Sequence, residues 1–480
     1  GVEYAVGFSG EPPRPPAILQ CPNCRWREQH AGSDRAALAQ MRARGVAVDG
    51  VLKRAVHRRG GDRIMVHGWP YELGGRFAPQ RWDVVVFKVP SDGQTNYIKR
   101  LIGKPGETVE IIDGDIFVTD PQTGQTRIAR KTPQAQKSLW FPYYDHHHPP
   151  RQPGADGQYH PRWVAATGAE VWRSVDSRQP RFDGVGGSGE IVFVTAPGPT
   201  LEPGVIEDVY GYDGVRNTEV VTDVRLSCEV LIDAAGPQGF IELAASKCDD
   251  EFFARLYADG RLVLEHARDG GPRQVWAQRS IALGSGPVHL ALGNVDYTVS
   301  VEVNGRTELQ STPEQYDIDP DTAREQSRNK RPPRLSIAAN DIRLTLSHLL
   351  IERDVFYTSD VEVGIDRRPG YGTQGHPIRL GPNDYFMLGD NSPASLDCRF
   401  SFIQADPHRG LQTDPVGPHL KAALERGDYQ LGVVPADQLI GPAFFVYWPG
   451  MGELLPDESL PRPLRVFNYL PSPGRIRLIR

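Results

Sequence analysis

Long hydrophobic runs are missing from this sequence of 480 residues. No stretch approaches the roughly 18 to 20 continuous apolar residues that a membrane-spanning helix needs, so no span is expected within it. Cysteine is scarce: five residues are too few for a disulfide scaffold, and the count leaves the redox compartment open. A basic stripe is absent as well. The formal charge of −6 is spread along the chain, which argues against nucleic acid as a partner and against a polybasic lipid-docking face. No charged-then-apolar leader opens the chain, and we read it as the downstream part of a longer protein.

Glycine (50) and proline (42) are abundant, and the apolar fraction is 39%. That balance suits many short strands joined by turns, and the expected class is mainly β, an antiparallel sheet core with an inserted β-sandwich. The length implies two or three units, each with its own core. Residues 1–60 read as an appendage, with a helical run from Ser33 to Arg44. Residues 61–185 and 359–480 read as one sheet system with loops, and residues 120 to 185 as an extended loop region. Its expected strands are Asp83–Phe87, Tyr97–Ile102, Val109–Ile112, Tyr385–Leu388 and Ala443–Trp448. Residues 186–358 read as the inserted sandwich, from the alternation in Val224–Val230 and hairpin turns at Asp259-Gly260 and Asn304-Gly305.

Four blocks carry the chemistry. They are Gly61-Asp62-Arg63-Ile64-Met65-Val66, Arg81-Trp82-Asp83-Val84-Val85-Val86-Phe87, Asn96-Tyr97-Ile98-Lys99-Arg100-Leu101-Ile102-Gly103-Lys104-Pro105-Gly106-Glu107, and Gly389-Asp390-Asn391-Ser392-Pro393-Ala394-Ser395-Leu396-Asp397-Cys398-Arg399. Their order resembles the boxes of bacterial type I signal peptidases, serine peptidases that work through a Ser/Lys dyad, and Val434-Pro435 to Trp448-Pro449 resembles that family's closing segment. The resemblance implies Lys99 as general base and Ser395 as the hydroxyl that orients it. It implies Asp397 and Arg399 as a supporting ion pair, Asp390 and Asn391 as loop-shaping residues, and Cys398 in place of the family's usual serine. Tyr97 and Ile98 are expected near the substrate. The family's nucleophile lies in a Ser-x-Met element, and none of the four methionines here has a serine two residues before it. The nucleophile is therefore expected upstream of Gly1, on a segment that also supplies the membrane anchor, and this chain alone is expected to be inactive.

The residues support that reading physically. Alternate residues of a strand share a face, so Lys99 projects with Tyr97 and Leu101, where desolvation disfavours its charged form. A neutral amine can take a proton from a serine hydroxyl. The bland alternative, a lysine stem lying on the sheet with its head in water, is outweighed by the surrounding blocks.

Cys21 and Cys24 have the spacing of half a zinc ribbon, with two further ligands expected before Gly1; a surface thiol pair is the rival reading. No cofactor is expected in catalysis. His146-His147-His148 reads as a solvated loop. The insertion loosely resembles a concanavalin-like jelly roll, whose expected ligand is carbohydrate or protein, with a purely structural role equally open. The resemblance implies signal-peptide-bearing preproteins as substrates and a catalytic unit on the outer face of the cytoplasmic membrane. The rival function is a non-catalytic, cell-surface carbohydrate-binding protein on a degenerate peptidase scaffold. A self-cleaving repressor shares the Ser/Lys chemistry, but no DNA-binding helix pair is present.

Overall fold

The structure is a computed structural model that describes residues 18–20, 27–29, 63–68, 70–148, 160–194, 201–209, 216–363, 366–400, 405–406, 411–412, 417–448, 451–453, 469–471 and 477–479. The chain is mainly β and its strand pairs are antiparallel. Val84–Lys88 joins three valines to Phe87, branched and aromatic side chains that pack well on a pleated surface. It pairs with Asn96–Gly103, setting Val85 opposite Lys99 and Val84 opposite Arg100. Asp92 closes the turn between them by accepting from the backbone amides of Gln94 and Thr95, each at 2.8 Å. On its other side Asn96–Gly103 pairs with Asp384–Leu388, which places Leu388 against Arg100. The sheet runs Val434–Pro435, Asp384–Leu388, Asn96–Gly103, Val84–Lys88, Leu439–Trp448, Arg63–Val66, with Arg477–Leu478 also on Leu439–Trp448.

A second sheet orders Ile378–Arg379, Thr108–Ile112, Asp115–Thr119 and Thr126–Ile128. Asp113 and Gly114, both at positive φ (52° and 88°), make the tight turn between its central strands. Both faces of this sheet are covered. Val109, Ile111, Ile116 and Val118 pack with Leu101 and Phe386 of the first sheet, whereas Ile112, Phe117 and Ile128 pack into the core of the sandwich. The period of two sends neighbouring residues to opposite faces, and here each face meets a different core.

The sandwich is one sheet of twelve strands folded over on itself. Val224–Lys247, 24 residues long, would span roughly 80 Å if straight. Instead its ends meet: Lys247 Nζ is 2.5 Å from the carboxylate of Asp223, the residue before the strand begins. Register shifts between Ala235 and Phe240 mark the fold-over, and Leu335–Arg353 follows alongside. Val224–Val230 then pairs outward with Val288–Val295, and Phe240–Lys247 with Asp250–Tyr257. The hairpins at Asp259-Gly260 and Asn304-Gly305 form where the sequence places them.

Four expectations need correction. The sandwich sheet does not start near residue 186: Phe141–Asp145 pairs with Leu350–Arg353, and Trp163–Thr167 pairs with Arg181–Phe193 in the same sheet. Residues 120 to 185 are accordingly no loop region, and they also hold the helix Pro133–Leu139, capped by Thr132. Nor is the sandwich core self-contained, because Ile112, Phe117 and Ile128 complete it from outside. Its entry and exit are nonetheless adjacent, Phe141 opposite Arg353. His146 is buried rather than solvated, with Nδ1 2.9 Å from the Tyr144 hydroxyl. Ser33–Arg44, Cys21 and Cys24 lie outside the described residues, the two cysteines falling between the paired strands Ile18–Gln20 and Arg27–Gln29. No helix among the described residues is long and apolar enough to cross a membrane.

Candidate active site

Pairing of Asn96–Gly103 with Asp384–Leu388 brings together residues almost three hundred positions apart. Lys99 Nζ donates to Ser395 Oγ at 2.8 Å. The amine also lies 5.6 Å from the centre of the Tyr97 ring, with Leu101 wholly buried two residues on. Burial pushes the Lys99 pKa down, Arg399 adds to that, and Asp397 and Asp390 oppose it. The result is an ammonium group biased toward the neutral amine that a general base requires. Ser395 ends the short turn Ser392–Ala394 and is itself buried. Gly389 is required beside it, since a Cβ there would stand 2.1 Å from Ser395 Oγ and 3.1 Å from Lys99 Nζ.

The loop that carries Ser395 is held from two directions. Asp397 and Arg399 are both wholly buried and form a two-pronged pair, Nε to Oδ1 at 2.9 Å and Nη2 to Oδ2 at 2.7 Å. Burial alone would raise the Asp397 pKa, but Arg399, Lys99 and the Gly389 amide hold it below its ordinary value. Asp390 receives Arg100 Nε at 2.9 Å and Nη2 at 2.8 Å. Asn391 precedes the turn without capping it through its side chain. Cys398 is buried, accepts from the Met387 amide at 3.2 Å, and burial pushes its thiol pKa up. Tyr97 and Ile98 part company: Tyr97 shares the face of Lys99, whereas Ile98 points away and is 42% exposed. Among the described residues Asp384–Leu388 pairs with Asn96–Gly103 at Arg100, Leu101 and Gly103, and with Val434–Pro435 on its other side.

Sequence reasoning missed the supports of this loop. Arg100 has no side-chain pattern of its own in the sequence, and Thr358 accepts from Arg399 Nη1 through its carbonyl and its hydroxyl, each at 2.9 Å. Thr358 follows the last strand of the sandwich, and no local pattern connects it with Arg399.

A buried charge cluster where the sandwich meets the sheet of Asp115–Thr119 was also missed. Lys247 contacts Asp223 and Asp115, and Lys131 contacts Asp296 at 2.5 Å and Asp354 at 2.7 Å. Oxygens of Asp115, Asp223 and Asp296 lie within 4.8 Å of one another, a spacing that suits a cation, but the two ammonium groups already neutralise that position. Burial pushes Asp354 up to about 7, with Asp296 and Asp223 adding to the rise against Lys131. An aspartate raised in the fold contributes its stability in full below its unfolded value of roughly 4 and loses it as pH climbs toward the folded value. Thermal melts should therefore show this contribution declining between pH 4 and pH 7, and Asp354→Asn should flatten that decline. Wild-type and variant curves that stay parallel across the range would refute the assignment.

Lys99 on its strand and Ser395 on the loop after Asp384–Leu388 form a lysine–serine pair within an antiparallel β unit. The family model described as signal peptidase, peptidase S26 matches residues 56–192. Two signal peptidase I proteins resemble the chain locally. That of Rickettsia akari (strain Hartford) is 43% identical over 54 residues, 11% of this chain and 20% of the relative. That of Rickettsia typhi (strain ATCC VR-144 / Wilmington) is 44% identical over 50 residues, 10% and 19%. The chain thus spans about a fifth of the length of the curated relatives it matches. Over this segment it is similar to the type I signal peptidases. Among solved structures, the carbohydrate binding module CBM66 from Bacillus subtilis is 13% identical, covering 40% of this chain and 96% of that one at a TM-score of 0.26. SCLam, a non-specific endo-beta-1,3(4)-glucanase from family GH16, is 11% identical, covering 51% and 97% at 0.26.

Proposed function

We propose that this chain is the catalytic part of a signal peptidase I, a membrane-anchored serine endopeptidase that removes signal peptides from exported preproteins. The observation that carries the reading is the half-buried Lys99, whose amine donates to Ser395 at 2.8 Å within the S26-like sheet. In this mechanism Lys99 takes the proton from a nucleophilic serine located upstream of Gly1, and Ser395 fixes the amine's direction. The lysine then returns the proton to the leaving amine of the scissile bond. Substrate adds as a strand beside Asn96–Lys99, which supplies main-chain hydrogen bonds, and small side chains before the cut face Tyr97. Catalysis needs no metal in this scheme, and the membrane is reached through the upstream anchor. The sandwich would offer a separate surface for carbohydrate or protein.

Cleavage of a preprotein decides the matter. The longer protein that includes the upstream segment should release the signal peptide, whereas this chain alone should turn over at background. Cleavage by this chain, abolished by changing a serine inside it, would overturn the assignment of the nucleophile.

A further inference from the structure

We propose that the two connections of the inserted sandwich position the Lys99–Ser395 pair, with Thr358 at the exit and Ser138 at the entry as the positioning residues. This rests on the peptidase reading and adds the sandwich to its working parts.

The exit connection reaches Ser395 in three steps. Arg399 Nη1 donates to the carbonyl and hydroxyl of Thr358 at 2.9 Å each and to Ser392 Oγ at 2.7 Å. Ser392 Oγ in turn accepts from the Thr358 amide at 2.9 Å. With its other edge Arg399 grips Asp397, and Asp397 accepts from the Gly389 amide at 3.1 Å. Gly389 is the backbone against which the Ser395 hydroxyl and the Lys99 amine are packed. Every group from Thr358 to Asp397 is buried, so a displacement of the exit strand reaches the pair through hydrogen bonds that water does not replace.

The entry connection reaches Lys99 from its neighbour in the strand. Arg100 donates to Ser138 Oγ at 3.3 Å, to the Trp82 carbonyl at 2.8 Å and to both oxygens of Asp390. Trp82 Nε1 donates to the Arg130 carbonyl at 3.0 Å, just before the connecting helix. The two connections are also tied to each other. Asp354 takes Lys131 at 2.7 Å and Gln136 Nε2 at 2.7 Å, and its amide donates to the Asp223 carbonyl at 2.9 Å. Tyr357, wholly buried, lies in the field of Asp390 and Arg100 from the site and of Lys131 and Asp354 from the junction. The sandwich is therefore bolted at both ends to the residues that orient the base.

The test reads the amine directly, in this chain, and needs no protease activity. Trace acetylation across pH, with Lys99 labelling followed by peptide mass spectrometry, gives the apparent pKa of its amine. Thr358→Val removes the hydroxyl that holds Arg399, loosens the pocket toward water, and should move the Lys99 labelling curve to higher pH. Thr358→Ser, which keeps the hydroxyl, should restore it. Ser138→Ala, on an exposed position of the entry helix, should move the curve in the same direction by less. In the longer protein the acid limb of kcat/KM should follow, with roughly three- to tenfold slower cleavage at pH 7 for each half to full unit moved. Labelling curves of Thr358→Val and Ser138→Ala that superimpose on wild type would overturn the proposal. Shifted curves in a longer protein that never cleaves would retain the positioning and refute the peptidase reading instead.

Discussion

Lys99→Ala in the longer protein is expected to reduce signal-peptide cleavage by at least about a thousandfold while the sheet stays folded. A positioned general base contributes roughly a hundred- to ten-thousandfold, and residues that act as a unit lose nearly everything together. Folding should survive because the lysine amine is held by its hydrogen bond to Ser395 and by no ion pair among the described residues, and its burial disfavours its charge. Removing it relieves a desolvation cost rather than stranding a partner ion. The measurement is kcat/KM on a preprotein beside a thermal melt of the same sample. Wild-type turnover in a folded Lys99→Ala protein would exclude the lysine as the base.

Asp397→Asn should destabilise the protein by about 3 to 5 kcal/mol, the usual cost of breaking a buried ion pair from one side. Both partners are wholly buried, so Arg399 would be left with a charge that neither water nor another carboxylate reaches. The exposed pair of Arg426 and Asp428 is the internal comparison, and Asp428→Asn should have a far smaller effect. The pH dependence carries a sign as well. Because the Asp397 pKa is lowered in the fold, its contribution is present above the unfolded value of roughly 4 and is lost as pH falls through the folded one. Acid titrations should therefore show wild type losing this part of its advantage over Asp397→Asn at low pH. Equal stability of the two proteins at neutral pH would show that the pair does not brace the loop.

What could be read in advance follows from how local each signal was. Strands such as Val84–Lys88 and Asp384–Leu388 announce themselves through branched and aromatic runs between turns, and they formed within a residue or two of expectation. The closeness of Lys99 and Ser395 came from a resemblance of blocks, because nothing in the spacing of a strand residue and a distant loop residue dictates a 2.8 Å contact. Arg181–Phe193 went unrecognised because its glycines read as breakers, whereas Gly184 to Ser188 is a register shift inside a long paired strand. The charge cluster was illegible for another reason. Asp115, Lys131, Asp223, Lys247, Asp296 and Asp354 come from six separate places in the chain, and each alone looks like an ordinary surface residue.

The meeting of Phe141 with Arg353 has a consequence for the order in which the molecule can assemble. Asn96–Gly103 must wait for Asp384–Leu388, which leaves the ribosome some 280 residues later. Closing so long a loop in an unfolded chain is entropically costly, although the cost grows by only about 0.6 kcal/mol for each doubling of length. Once the sandwich has formed, its own ends stand side by side, and the span still to be closed shrinks to the connecting segments alone. The insertion then serves as a clasp during synthesis: with Ile112, Phe117 and Ile128, which are made before it, it closes its core first, delivers the late strand to the waiting early one, and shortens the time for which the edge of Asn96–Gly103 is open to wrong partners.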